Sequence, residues 1–284
     1  MKRIHLFPAL ALSAAILLAA GCEKQVNFFK ARSELNKGVT SFTAADYTTA
    51  AQRFETALEL DPNLTDARNY RAYAYMMQFI PGDESAENKK MADEAISGFK
   101  EVLDSNPDNE LAVGALASLY FNMKDFKEAE KWHRRRIEIL EAKAAKSPDG
   151  VVDPLAAESY YTIGVIKWTQ AYEPRLKVRA DLGMKPEDPG PIKDEKARKE
   201  LAATSIPIID DGIQALTNAL KVNPDYADAM AYLNLLNRER ADLADSPEEY
   251  EQYLAKADEW VQKTLATKKR LAEESTTDQF HAGE

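Results

Sequence analysis

The sequence predicts an all-α protein of about ten helices, and three observations lead to this expectation. Glycine is scarce, with 11 among 284 residues, while the helix-favouring residues Ala, Leu, Glu and Lys are common. Small and aromatic residues recur at helical spacing along the chain, and several of these segments end in Asp-Pro or Asn-Pro. Repetition of this kind is typical of a solenoid, in which each helical pair buries its apolar face against its neighbours.

The clearest copy of the repeated pattern is residues 46–62, DYTTAAQRFETALELDP. Ala50, Phe54 and Ala57 fall at helical spacing, and Pro62 follows five residues later. This order of small, aromatic, small and proline residues resembles the second helix of a tetratricopeptide repeat. The resemblance implies a right-handed superhelical solenoid over residues 30–271.

Five repeats are expected, of which the first three match the pattern closely and the last two depend partly on spacing. The expected repeats are 30–62, 65–107, 110–145, 155–224 and 227–267. The fourth repeat contains a large insertion, 173–207, in which 194–203 is predicted as helix and Pro207 as a kink. The polar segment 272–284 is expected to be a flexible tail.

The N-terminus predicts secretion and lipid attachment. A basic start is followed by an apolar run that ends in LAAGC, with the chain's one cysteine, Cys22, in last position. This ending resembles the lipobox of bacterial lipoproteins, which implies removal of residues 1–21 and acylation of Cys22. Residues 22–29 are expected to be a tether, and Glu23 favours the outer membrane over the inner. The alternative is an ordinary secretion signal cleaved near Ala20.

Charge and composition argue against several function classes. The formal net charge is -10, which disfavours nucleic-acid binding. The three histidines are His5, His133 and His281, and no Cys/His cluster, glycine-rich phosphate loop or GxSxG motif is present. The sequence therefore predicts no cofactor, no metal and no enzymatic activity.

The resemblance implies that the first helices of successive repeats line a groove for a partner. Aromatic and methionine side chains at the corresponding positions suit a helix or an extended peptide. The expected groove residues are Asn69, Tyr73, Met76, Ser118, Phe121, Tyr161, Trp168 and Arg238. The alternative is that the insertions fold over the groove and bury Tyr73, Phe121 and Trp168 as core.

The insertion itself offers a second possible contact. Arg175, Lys177 and Arg179 lie in a segment that the repeats do not need, so they are candidates for binding a partner. The alternative is that they cap the fourth helix pair.

These features predict a lipid-anchored scaffold at the outer membrane, facing the periplasm, that recruits a protein or peptide partner. Assembly factors of outer-membrane barrels and pilus-secretin pilot proteins are similar lipoproteins built from such repeats. One alternative is a peptidoglycan-associated factor or a regulator of a cell-wall enzyme. Another is an enzyme with a site in the 173–207 insertion.

Overall fold

The protein is all-helical in the described part of its chain, as the sequence predicts. The computed structural model describes the backbone of residues 7–185, 188 and 190–281, and the side chains of residues 25–185, 188 and 190–275. Ten helices and no strands are found there. The helices are α1 Phe7–Thr43, α2 Tyr47–Leu60, α3 Thr65–Met76, α4 Ala86–Ser105, α5 Glu110–Asn122, α6 Phe126–Ala144, α7 Leu155–Asp181, α8 Glu195–Val222, α9 Ala227–Asp242 and α10 Pro247–His281.

Helix α1 continues without a break through residues 22–29, which the sequence predicts as a tether. This segment contains neither glycine nor proline, so nothing in it interrupts the helix. Residues 1–6 and the side chain of Cys22 lie outside the described part, and the lipobox interpretation stays a prediction. Within the described residues, no helix is both long enough and apolar enough to cross a bilayer.

Helix α10 likewise continues through residues 272–281, which the sequence predicts as a flexible tail. The start of α10 follows its sequence signature: Ser246 Oγ accepts a hydrogen bond from the Glu249 N–H at 3.1 Å, and Pro247 is the first helical residue. From Glu248 to His281 there is again no proline or glycine. The helix therefore has a defined beginning and no internal stop signal.

The chain divides into two compact units, residues 1–125 and 126–284, hereafter unit 1 and unit 2. The division falls inside the third predicted repeat, because α5 belongs to unit 1 and α6 to unit 2. Each unit contains its own helical pairs and its own buried clusters.

Unit 1 is built from two helical pairs, α1 with α2 and α3 with α4, followed by α5. The second helix of each pair packs on the next first helix, and α3 contacts both α1 and α5. The first helices therefore lie side by side, which is the arrangement expected for stacked repeats. Phe54 of α2 is fully buried, and its ring lies where a Cβ at Gly38 of α1 would have to be.

A second glycine sets the distance between α3 and α4. A Cβ placed on Gly98 would lie 2.8 Å from the Cβ of Ala72 and 3.4 Å from its Cα, so a methyl group there has no room. We expect Gly98→Ala to destabilise the protein by about 1–3 kcal/mol, although alanine favours helix more than glycine does. Chemical unfolding followed by far-ultraviolet circular dichroism measures this. The exposed neighbour Ser97 provides the control, because Ser97→Ala should change stability by less than about 0.5 kcal/mol. A Gly98→Ala protein as stable as this control would contradict the prediction.

Unit 2 contains α6 and two further pairs, α7 with α8 and α9 with α10. Helix α6 packs on α7, α8 packs on α9, and the first helices α7 and α9 contact each other. Buried side chains join α7, α8 and α9, and they include Leu216 of α8, Leu233 and Leu236 of α9 and Ile192 of the loop between α7 and α8. The half-buried Trp260 of α10 packs against them.

The 173–207 insertion lengthens a helical hairpin and forms no separate domain. Its first part extends α7 to 27 residues, and its last part begins α8, which has 28 residues. The predicted helix at 194–203 is confirmed, and Pro207 lies inside α8 without ending it. Between the two helices is a connection at residues 182–194, hereafter the insertion loop.

Candidate functional site

The predicted groove residues of unit 1 lie on the two adjacent first helices α3 and α5. Tyr73 packs edge-on against Phe99 at 4.9 Å, and its hydroxyl donates a hydrogen bond to the Leu111 carbonyl at 3.2 Å. Asn69 and Met76 are half-buried on α3. The surface between α3 and α5 is thus partly packed, with Leu111 exposed by 63%.

Helix α5 contributes the other two predicted residues of unit 1. Ser118 is exposed, and Phe121 is half-buried near the end of the helix. Neither Tyr73 nor Phe121 is fully enclosed, so the alternative in which both become core residues does not describe this surface.

Unit 2 brings five aromatic side chains together on its first helices. Tyr161, Trp168 and Tyr172 come from α7, Tyr232 comes from α9, and Tyr226 immediately precedes α9; we call this set the aromatic wall. Tyr161 lies 5.0 Å from Tyr226 and 5.6 Å from Tyr232, Trp168 lies 5.5 Å from Tyr232, and Tyr172 stacks on Trp168 at 4.8 Å between ring centroids. All five are half-buried.

The aromatic wall is both packed and accessible. Tyr161, Trp168, Tyr226 and Tyr232 rest against the buried cluster of unit 2 while part of each ring remains exposed. Amphipathic aromatic side chains held in this way lose little conformational freedom when they bind a partner. The sequence left two alternatives open, a groove surface or a buried core. In unit 2 each ring combines both, because one part packs against the core and another part remains exposed.

Acidic residues lie at the edge of the aromatic wall. Burial raises the pKa of Tyr161 to about 12, and the charge of Asp228 contributes in the same direction. Burial also raises the pKa of Tyr226, to which Glu158 and Asp228 add. Both carboxylates are on exposed residues. Asp228 Oδ1 is paired with Lys268 Nζ of α10 at 3.1 Å, which offsets part of its charge. Glu158 adds a negative charge at the same edge, which favours a ligand with cationic groups.

A buried ionic network lies beyond Tyr172, where α7 meets α9. The guanidinium of Arg175 is 5.3 Å from the Tyr172 ring centroid, and its Nη1 donates to Asp242 Oδ2 at 2.7 Å. Its Nε is paired with Glu239 Oε2 at 2.5 Å, outside the angular range of a hydrogen bond. Burial raises the pKa of Glu239 to about 7, against the opposing effect of Arg175 and with a smaller addition from Asp242.

The network reaches the aromatic wall through Trp168. Its indole N–H is buried and favours the ionised form of Glu239, although no hydrogen bond of acceptable geometry joins the two groups. The wall and the buried charges are therefore neighbours.

Arg179 is the most deeply placed member of this network, with a relative exposure of 1%. It donates to the carbonyl oxygens of Lys185 at 3.0 Å, Asp188 at 2.5 Å and Gly190 at 3.5 Å, and to Asp242 Oδ2 at 2.9 Å. One side chain thus ties three points of the insertion loop to α9. These contacts require the guanidinium to be inside the protein.

The structure therefore separates the three basic candidates of the insertion. Arg179 is buried and Arg175 is committed to two carboxylates, so neither presents its charge to a partner as the sequence interpretation expected. They instead join α7 to Glu239 and Asp242 of α9, and Arg179 also holds the insertion loop. Lys177 is exposed on the outside of α7.

Arg238 forms its ion pair with a residue of α10 and not with the aromatic wall. Its Nη2 is paired with Asp258 of α10 at 2.7 Å, and its Nε donates to Asn234 at 2.9 Å. It lies six residues after Tyr232, about 240° further around α9. The consensus position thus places Arg238 apart from the aromatic wall.

Sequence reasoning identified two of the five wall residues and missed Tyr172, Tyr226 and Tyr232. Tyr172 lies beyond the length of an ordinary repeat helix, and Tyr226 lies one residue before α9 and contacts Tyr161 of α7. The spacing of Trp168 and Tyr172, four residues apart on one helix, is the signal that could have found the third member.

Metal binding finds no support in the described residues, since none of their His, Cys, Asp and Glu side chains form a group of three or more suited to an ion.

Comparison with known proteins agrees with this architecture. The tetratricopeptide repeat family model matches residues 89–135. The crystal structure of MamA protein is similar, with 15% sequence identity, a TM-score of 0.52, and coverage of 84% of this chain and 94% of that chain. The fold is that of tetratricopeptide repeat proteins.

A second structure is described as YrrB, a tetratricopeptide repeat protein with an unusual peptide-binding site. It has 15% identity and a TM-score of 0.48, and the match covers 83% of this chain and 90% of that chain. No curated protein sequence matches the chain significantly. The tetratricopeptide fold is consistent with a scaffold for protein–protein interaction.

Proposed function

We propose that the protein is a lipid-anchored scaffold of the bacterial cell envelope that captures an extended segment of a partner protein on its aromatic wall. The observation that carries this proposal is the continuous row of half-exposed rings across α7 and α9. A row of this kind matches alternate side chains of an extended peptide, and the rings are held in place by the core beneath them.

The chemistry of the wall defines the class of peptide. Ring faces attract apolar side chains, prolines and cations, and the carboxylate of Glu158 adds attraction for lysine or arginine. A segment that alternates apolar and basic residues is therefore the expected ligand. A strongly acidic segment would be repelled.

The second part of the proposal is that a lipid anchor at Cys22 attaches the protein to a membrane. The lipobox ending at Cys22 supports acylation after removal of residues 1–21, and several acyl chains hold a protein stably at a membrane. The periplasmic face of the outer membrane is the proposed location. The partner is then a protein of the envelope, and assembly of an envelope complex is the proposed role.

The test removes two rings of the wall and follows the partner. Tyr161→Ala combined with Trp168→Ala should abolish capture of envelope proteins by cross-linking in intact cells, with helicity unchanged by circular dichroism. The matched control is Tyr253→Ala, which removes a half-buried tyrosine of α10 outside the wall and should leave capture intact.

A captured protein supports the proposal when a synthetic peptide from it binds the purified chain and loses binding in the double variant. Equal capture by the double variant and the control would overturn the assignment of the wall. Recovery of muropeptides in place of a protein would favour the alternative of a peptidoglycan-associated factor, because tyrosine and tryptophan faces also stack on sugars.

A further inference from the structure

The exposed part of α1 that begins at Val26 carries apolar side chains that the protein does not cover. Val26 is 49% exposed, Phe28 is 40% exposed and Phe29 is 65% exposed. The two phenylalanine rings touch each other edge-on at 5.6 Å between centroids. Three exposed large apolar residues within four positions form a patch that indicates contact with something other than water.

Two residues of the patch, Val26 and Phe29, share one face of α1 with the position of Cys22, whereas Phe28 lies about 120° around the helix from that position. Val26 follows Cys22 by four residues and Phe29 follows Val26 by three, which places all three positions in one stripe along a helix. Ala31 is fully buried against Ala57 of α2 and Ala67 of α3, and it is 200° around the helix from Phe29. The stripe therefore points away from the body of unit 1.

The charge around the patch is opposite in sign to that of the chain as a whole. Residues 23–37 contain four basic and two acidic side chains, whereas the full chain has a net charge of -10. One of the two acids, Glu34, is paired with Lys37 at 2.6 Å and with Arg53 at 3.1 Å. The guanidinium of Arg32 lies 4.6 Å from the Phe28 ring centroid. The beginning of α1 is thus locally basic and aromatic.

We infer that Val26 and Phe29 insert into the surface of a phospholipid membrane beside the anchored Cys22, with Phe28 at the edge of the contact. The inference rests on the proposed lipid anchor, which brings this face of α1 to the bilayer. Phenylalanine partitions into the boundary between headgroups and acyl chains, and Lys30 and Arg32 are attracted to anionic headgroups. A stripe that contains Val26, Phe29 and the acylation position, with basic residues beside it, has the composition of such a contact.

The same stripe shows where the contact ends. Beyond Phe29 it continues through Ser33, Asn36 and Lys37, which are polar and exposed. Only the first turns of the exposed helix therefore enter the membrane surface. The remainder of α1 leaves the bilayer and carries unit 1 with it.

The experiment measures the depth of a fluorescent label in lipid. Gln25→Cys places a nitrobenzoxadiazole label on the exposed stripe, four residues before Phe29, while keeping all three apolar residues, and Cys22 remains acylated. The full-length chain is processed in cells and reconstituted in vesicles of phosphatidylglycerol and brominated phosphatidylcholine. Thr43→Cys is the matched control, because it is exposed and about 27 Å further along the same helix.

We expect bromine quenching at position 25 and none at position 43. Adding Phe28→Ser and Phe29→Ser to the Gln25→Cys protein should reduce the quenching at least about threefold while the acyl anchor is unchanged. Both phenylalanines are exposed, so these changes should leave helicity intact.

Two outcomes would overturn the inference. Equal quenching with and without the phenylalanines would mean that acylation alone holds the label in lipid. A label that is shielded from water without bromine quenching would mean that protein, such as a second copy of the chain, covers the patch.

A separate measurement tests the proposed lipid anchor at Cys22. The mass of the purified protein shows whether residues 1–21 are removed and acyl chains are present on Cys22. A chain without acylation contradicts the proposed anchoring, and with it the premise of the membrane contact, whereas an acylated chain with an unquenched label contradicts the membrane contact alone.

Discussion

Arg179→Ala is expected to destabilise unit 2 by about 3–5 kcal/mol. The substitution leaves Asp242 without one of its two guanidinium partners and strips hydrogen bonds from the carbonyls of Lys185, Asp188 and Gly190. Buried polar groups that lose their partners cost far more than the net contribution of the bonds themselves. Because Arg179 is almost completely enclosed, water cannot replace those partners without opening the loop.

Urea unfolding followed by tryptophan fluorescence measures this loss of stability in unit 2. All three tryptophans, Trp132, Trp168 and Trp260, lie in unit 2, so the signal reports that unit. Lys177→Ala is the control, since Lys177 is exposed two residues away and its removal should cost less than about 0.5 kcal/mol. Arg179→Lys should recover only part of the loss, because one ammonium group cannot reach the same set of acceptors. Equal stability of Arg179→Ala and Lys177→Ala would show that the network does not hold the loop.

The second large effect concerns the pH dependence of stability, to which two buried groups make opposite contributions in the native protein. His133 is 4% exposed, and neither ring nitrogen has a hydrogen-bond partner within the described residues. Burial, aided by the charge of Arg136, lowers the pKa of His133 to about 4. Glu239 behaves in the opposite manner, because burial raises its pKa to about 7.

The two groups act on stability with opposite sign over nearly the same pH range. As the pH falls from 6.5 to about 4, the unfolded chain protonates His133 and the folded protein does not, so this group lowers stability by up to about 3 kcal/mol. As the pH falls from about 7 to 4.5, the folded protein protonates Glu239 before the unfolded chain does, so this group raises stability by up to about 3 kcal/mol. Together they largely cancel.

Single substitutions should reveal each contribution. His133→Leu should make unit 2 more stable as the pH is lowered from 7 to 4.5, and Glu239→Gln should make it less stable over the same range. Urea unfolding by tryptophan fluorescence at four pH values distinguishes the slopes. The same slope in both variants would show that the two groups do not titrate as their burial requires.

The helical architecture was predictable because it depends on the spacing of apolar residues that are close together in the sequence. Ala50, Phe54 and Ala57 repeat at intervals that only a helix converts into one apolar face, and Pro62 ends that helix. The serine and proline at 246–247 likewise predict the start of α10 from neighbouring residues alone. Signals of this kind need no knowledge of distant parts of the chain.

The roles of Arg175 and Arg179 could not be predicted in the same way. Their carboxylate partner Asp242 is 67 and 63 residues away in the chain, and nothing near the arginines indicates that they are buried. A basic run in an insertion has the same appearance whether it faces water or a buried carboxylate. Only the packing of α7 on α9 decides between these cases.

The aromatic wall was predicted in part for a related reason. Tyr161 and Trp168 occupy positions that the repeat pattern defines, whereas Tyr172 lies in the extension of α7 that the insertion adds. A pattern with a fixed period has no position for a residue outside that period.

The way in which Arg179 holds the insertion loop has a consequence for how this chain can change. A shortened hairpin that keeps Arg179 but lacks the loop would remove the carbonyl acceptors of the guanidinium at Lys185, Asp188 and Gly190. Asp242 would keep its ion pair with Arg175. Shortening the hairpin by design therefore requires replacing Arg179 in the same step.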